Sequence, residues 1–134
     1  MIELSSISLD ATLAVGFKIF AFISGLAALI FIHELGHFLA ARKCGVIVEK
    51  FSIGFGKKIF GFTSKGTEFM VAAIPLGGFV KMKGEELDEE ISEEGSFSAA
   101  SPQQRLLIAF AGPLFNILFA LVIYTFIYIA GVET

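Results

Sequence analysis

The sequence predicts a membrane protein, mainly α, in which two transmembrane helices flank a small membrane-associated β-hairpin sheet. Three observations predict it: an apolar composition, two long runs almost free of charge near the ends, and a glycine-punctuated middle rich in β-branched and aromatic residues. Of 134 residues, 55% are hydrophobic and 17% charged, and mean hydropathy is +0.80. Soluble domains carry about 25% charged residues. This chain has more apolar surface than a small globule can bury, so its solvent is expected to be partly the lipid bilayer. A net charge of −3 and a pI near 5.3 leave no basic footprint for DNA or RNA, so no nucleic acid partner is expected. The single cysteine, Cys44, cannot close an intramolecular disulfide.

Residues 1–10 read as an extracytoplasmic N-terminus. The first transmembrane helix, 11–43, opens with Ala11–Ile32, 22 residues in which Lys18 is the only charge. At 1.5 Å per residue they reach roughly 33 Å, enough to cross a bilayer core. No Lys or Arg precedes the run and it is too long for a secretory h-region, so it reads as a retained anchor.

Residues 44–84 form a cytoplasmic, membrane-associated β region. Strands are expected over Val46–Ile53 and Lys58–Thr63, parted by Gly54 and Gly56, then over Thr67–Ile74 after a turn at Ser64-Lys65-Gly66. Pro75, Gly77 and Gly78 interrupt before a last strand, Phe79–Met82. Phe69–Phe79 is apolar enough for the sheet to dip into the bilayer; the plainer alternative is an amphipathic sheet resting on the helices.

An acidic linker, 85–100, carries seven acids between Glu85 and Glu94 and is expected to stay solvated and mobile. Ser101-Pro102 marks the start of the second transmembrane helix, 101–131. Within it Leu106–Ala130 holds no charge in 25 residues, roughly 37 Å. Residues 132–134 form the outer end. Nine of the ten Lys and Arg lie between the two apolar runs, which puts the middle in the cytoplasm and both termini outside.

The chemistry is concentrated in His33-Glu34-Leu35-Gly36-His37, which holds both histidines of the chain. Residues four apart on a helix lie about 6 Å apart along the axis and about 40° apart in rotation, so both imidazoles can reach one metal ion. Glu34, turned about 100° from His33, is better placed to face a metal-bound water than to ligate. Neutral imidazoles suit Zn2+, zinc acidifies a bound water, and a carboxylate can take its proton and pass it to a leaving amine.

In a soluble helix such a pattern is often merely a solvated stripe. Here it continues from a membrane run, where ionisable groups are costly and point to function. Counted from Leu13, His33 lies about 30 Å along, near the cytoplasmic boundary, where water has access.

A catalytic zinc normally takes three protein ligands, and this helix supplies two. Cys44 is about 10 Å past His37 along a continued helix and reads as a small buried or interfacial thiol. Asp10 and Asp88 stand in the outer terminus and the acidic linker. In the second apolar run, Pro113 removes a helix hydrogen bond and Gly112 permits close approach. Asn116 is an amide in need of a partner, equally readable as interhelical glue or as a group beside a substrate peptide.

These residues resemble the site-2 proteases, membrane-embedded zinc metalloproteases, and among them the bacterial regulator-of-sigma-E type. The resemblance rests on Phe31–Phe38, on Phe51-Ser52-Ile53-Gly54-Phe55-Gly56, on Gly66-Thr67-Glu68, on Pro75–Met82 and on Ala111-Gly112-Pro113-Leu114-Phe115-Asn116, in that order along the chain.

The resemblance implies regulated intramembrane proteolysis in the bacterial inner membrane, cutting single-span proteins such as anti-sigma factors. It casts His33 and His37 as zinc ligands and Glu34 as the catalytic acid/base. It places Pro75, Leu76, Gly77 and Gly78 in a sheet that pairs with an unwound substrate strand, and Asn116 near the substrate path. Relatives of this type continue into a PDZ region and a third core helix bearing an Asp ligand. The chain thus resembles an N-terminal half, expected to bind zinc weakly and to be inactive until the missing C-terminal half completes the site. Two alternatives stand beside this reading: a membrane-anchored zincin of another family, and a non-catalytic membrane scaffold.

Overall fold

The computed structural model describes residues 2–86 and 93–131, in four elements: α1 (Ile2–Lys43), β1 (Val48–Ser64), β2 (Thr67–Met82) and α2 (Pro102–Ala130). α1 is 42 residues long, roughly 63 Å, so the helix takes in residues 2–10, which the sequence suggested as a separate terminus. Both helices contain stretches long and apolar enough to cross a bilayer, Leu9–Lys43 and Pro102–Ala130. Their large side chains face outward: Phe17, Phe20 and Phe22 on α1, and Ile117, Leu121 and Ile129 on α2 are all exposed. An apolar coat of this extent is compatible with lipid as its surroundings.

α2 begins as the sequence predicts. Ser101 is the N-cap, its hydroxyl accepting from Gln104 N at 3.3 Å while Gln104 Oε1 accepts from Ser101 N at 2.9 Å. This capping box, with Pro102 in the first turn, satisfies donors that a helix start would otherwise leave unpaired.

The sheet differs from the expected four short strands. Two long antiparallel strands form, and their register makes them fold over themselves. Residues Lys50–Ile53 pair on one side with Gly78–Lys81 and on the other with Glu68–Val71, while Lys58–Ser64 close the hairpin against Thr67–Ala72. Four paired rows result. Gly54 and Gly56, both at φ +85°, bend β1 between its two halves. A side chain at Gly54 would collide with the Ile74 carbonyl at 2.6 Å, so the bend needs glycine for space as well as for conformation. Pro75, Gly77 and Gly78 likewise lie inside β2 rather than ending it.

The last turns of α1 bury against this folded hairpin. Phe38 and Ala41 pack with Val48, Phe51, Val80 and Met82 of the sheet and with Ile108 of α2. Phe38 meets Phe51 and Phe69 at centroid distances of 5.6 and 5.5 Å, both near edge-to-face. Each such pair contributes about 0.5–1.5 kcal/mol beyond area burial. Thr67 ties the hairpin shut, its buried hydroxyl donating to the Val48 carbonyl at 2.7 Å.

The acidic segment is not a free linker where it is described. Glu86 lies 3.1 Å from Lys81, Glu93 lies 2.6 Å from Lys83, and Glu85 accepts from Met82 N at 3.2 Å. Main-chain bonds from Ile47 N to the Gly95 carbonyl and from Phe97 N to the Lys83 carbonyl fasten its far end to the sheet. Lys81 of β2 and Lys83, just past its end, supply the countercharge that offsets like-charge repulsion. Asp88, Glu89 and Glu90 lie outside the described residues.

Glu68 on β2 is bridged by Lys58 at 2.6 Å and by Lys50 at 3.6 Å. The hydrogen bond and charge of Lys58, with the charge of Lys50, hold its carboxyl below the usual carboxylate range. Because the folded value is depressed, the contribution is present above the unfolded carboxylate pKa, about 4.3. It is lost as pH falls through the folded value. In an NMR titration of the Glu68 carboxyl carbon, Lys58→Gln should move the midpoint upward, toward that of an exposed glutamate.

Candidate metal centre

His33 and His37 stand one turn apart on α1, where the helix leaves its outward-facing apolar stretch and meets α2. Their Nε2 atoms face each other at 3.1 Å, with the rings nearly perpendicular and 4.8 Å between centroids. His37 Nδ1 lies 2.7 Å from the Ile108 carbonyl. A carbonyl only accepts, so His37 carries a proton on Nδ1, and its neutral form offers a lone pair at Nε2. His33 Nδ1 lies 3.3 Å from Asn116 Nδ2. Two imidazole lone pairs cannot face each other at this distance without a proton or a cation between them.

The helices must come close to make this site, and two glycines allow it. A Cβ on Gly36 would run into the Ala111 carbonyl of α2. A Cβ on Gly112 would lie 2.8 Å from His33 Nε2 and nearer still to His37 Nε2. Gly112 thus leaves a gap where any other residue would occupy the space the imidazoles share.

Glu34 sits at the junction of two cavities. One, of about 320 Å³, is lined by Glu34, His37, Gly78, Met82, Glu85 and Ile108 among others. The second, of about 390 Å³, is lined by Ile30, His33, Glu34, Gly77, Gly78 and Asn116 together with further apolar residues of α1. Gly78 belongs to both, and a Cβ there would come within 3.1 Å of Glu34 Cγ and 2.7 Å of the Ser52 carbonyl. The sheet therefore reaches the carboxylate through a glycine.

Two imidazoles whose Nε2 atoms stand 3.1 Å apart have the spacing of a nitrogen pair on a zinc-like ion, and Gly112 leaves the space. Among the described residues no group of three or more His, Cys, Asp or Glu side chains converges as a full ligand set. Cys44 lies past the end of α1, partly buried against the core.

The profile of Peptidase family M50 matches residues 21–133. The chain belongs to Peptidase family M50. It is 52% identical over 113 residues to a "Putative zinc metalloprotease" of Helicobacter pylori strain J99, covering 79% of this chain and 32% of that protein. It is 48% identical over 115 residues to the regulator of sigma-E protease RseP of Escherichia coli K12, covering 84% of this chain and 26% of that protein. Protease RseP of Yersinia pestis is 49% identical over 117 residues, covering 85% and 26%. The chain thus spans about a quarter to a third of the length of these M50 relatives.

Of the residues the sequence singled out in this M50 chain, His33, Glu34, His37, Gly77, Gly78 and Asn116 are divided between the two cavities, which share Glu34 and Gly78. Pro75 and Leu76 are exposed on β2 and line neither cavity. The Ile108 carbonyl was not legible, because a main-chain acceptor has no residue signature. The sequence shows Gly112 as a residue that permits close approach; that it faces the imidazoles is visible only in the fold.

Gly112→Ala should push the two imidazoles out of their shared position while leaving helix content unchanged. With [15N]histidine labelling the chain shows only two rings, so a shift of both sets of ring resonances against an unaltered far-ultraviolet circular dichroism spectrum checks it.

Proposed function

We propose that this M50 chain supplies the zinc-binding and acid/base part of an intramembrane endopeptidase of the site-2 type. The observation that carries the reading is the pair of Nε2 atoms 3.1 Å apart on α1, beside a glutamate that opens onto two cavities. His33 and His37 would hold the ion. The remaining protein ligand comes from polypeptide outside the described residues, in the longer context that the relatives have. On this reading the isolated chain binds zinc weakly and does not cleave.

When bound, zinc supplies Lewis acidity toward a peptide carbonyl. Glu34 Oε takes a proton from the attacking water as oxygen bonds to the carbonyl carbon. It returns that proton to the amide nitrogen as the C–N bond breaks, leaving a carboxylate and an amine. The two cavities suit the two reactants. On this reading the cavity lined by Glu85 takes the water, and the one lined by Leu26, Leu29 and Ile30 of α1 takes the peptide.

Pro75, Leu76, Gly77 and Gly78 belong to β2, whose main chain can add an extended substrate segment. Substrates are single-span membrane proteins of the anti-sigma-factor type. α1 and α2 cross the bacterial inner membrane with both chain ends outside, as the distribution of Lys and Arg supports. Residues 44–84 lie on the cytoplasmic side, and the site lies near that face.

The test uses a full-length protease carrying this segment, with a transmembrane substrate in proteoliposomes. Glu34→Gln should retain zinc and lower the cleavage rate by roughly 10²–10⁴-fold. His33→Ala with His37→Ala should abolish zinc retention. Undiminished cleavage by either variant would sink the reading.

A further inference from the structure

Ile108, Gly112 and Asn116 follow one another at four-residue intervals along α2, one face of the helix turned to α1. Opposite them stand His37 and His33, also four apart. The Ile108 carbonyl meets His37 Nδ1, Gly112 faces both Nε2 atoms, and Asn116 meets His33 Nδ1. The pattern on α2 is polar group, gap, polar group, in register with the two rings.

At His37 the consequence is settled by chemistry: the Ile108 carbonyl fixes Nδ1–H and frees Nε2. At His33 the partner is a carboxamide, whose oxygen and nitrogen ends have nearly the same shape. If Nδ2 faces the ring, neutral His33 must accept at Nδ1, its proton moves to Nε2, and it cannot ligate. If Oδ1 faces the ring, Nδ1 is protonated and Nε2 is free. With Nδ2 toward His33, Oδ1 is buried without a hydrogen-bond partner. Reversal leaves Nδ2 in that place. Without an ion the first orientation makes one hydrogen bond more, since His33 Nε2–H then donates to His37 Nε2; with an ion between the rings only the second leaves both Nε2 lone pairs free to hold it.

We propose that Asn116 is a positioning residue for His33, its Oδ1 accepting from Nδ1–H so that the Nε2 lone pair is turned to an ion shared with His37. The inference rests on the metal-centre reading above and gives Asn116 a task distinct from contact with substrate. Metal-bound imidazoles elsewhere use carboxylates, carbonyls and waters in this role, and loss of the partner typically weakens metal binding 10- to 100-fold.

The experiment is zinc titration of the whole 134-residue chain in micelles with [15N]histidine, whose two rings are the only ones in the spectrum. Dissociation constants come from a competing chelator. With zinc bound, both rings should carry the proton on Nδ1. Asn116→Leu, which keeps the volume without an acceptor, should bind zinc about 10- to 100-fold more weakly. Asn116→Asp, an acceptor of the same shape, should bind at least as tightly as the parent. A purely structural role would weaken both variants alike. If both rings respond to zinc but His33 keeps a bare Nδ1, or if Asn116→Leu binds undiminished, the inference falls and the metal centre stands. If neither ring responds, the metal-centre reading falls and takes the inference with it.

Discussion

The contact between α1 and α2 at Gly36, Ala111 and Gly112 governs the rest of the molecule. Gly36 faces the Ala111 carbonyl with no room for a methyl group, and Gly112 faces the imidazoles with none to spare. Backbones brought this near place an α2 carbonyl within hydrogen-bond reach of an α1 side chain, as at Ile108 and His37. In lipid, where no hydrophobic force draws helices together, such packing and interhelical hydrogen bonds are what remains to hold them. The same small residues therefore serve both the pairing of the helices and the geometry of the site.

The folded hairpin is the second wall. Its central row, Lys50–Ile53, has paired neighbours on both sides, which satisfies main-chain groups close to an apolar helix. Aromatic rings of the sheet fix its height against α1 through Phe38, one residue beyond His37. Gly78 then brings the strand against Glu34. The charged residues that keep this assembly in register lie at its periphery, where Lys81 and Lys83 draw in Glu86 and Glu93. The glutamate beside the imidazoles is thus enclosed by helices and sheet together, with each element contributing a close backbone approach rather than a countercharge.

Much of this is legible in the amino-acid sequence. The long apolar runs, the capped start of α2 at Ser101-Pro102 and the pairing of His33 with His37 all follow from spacing and residue type. Gly112-Pro113 pointed at an irregular stretch of α2, which runs through it as one helix, but not at what Gly112 faces. The four segments read as strands reappear as the four paired rows but are joined into two strands, because a positive-φ glycine looks the same in sequence whether it ends a strand or bends one. The acidic segment misled at its ends for a similar reason: Glu86 and Glu93 read as free until Lys81 and Lys83 are known to lie alongside.

By itself the sequence determined what depends on neighbours along the chain: helical periodicity, caps, turn residues, and a histidine pair one turn apart. Those features are set by local sterics and by hydrogen bonds that span only a few residues. Tertiary structure alone decided which carbonyl meets His37, which residue leaves room beside both rings, and that Glu34 opens onto two cavities. Ile108 lies 71 positions from His37, and Asn116 lies 83 from His33. No local rule links residues so far apart; only the close packing of two helices and a folded sheet brings them within 3.3 Å or less.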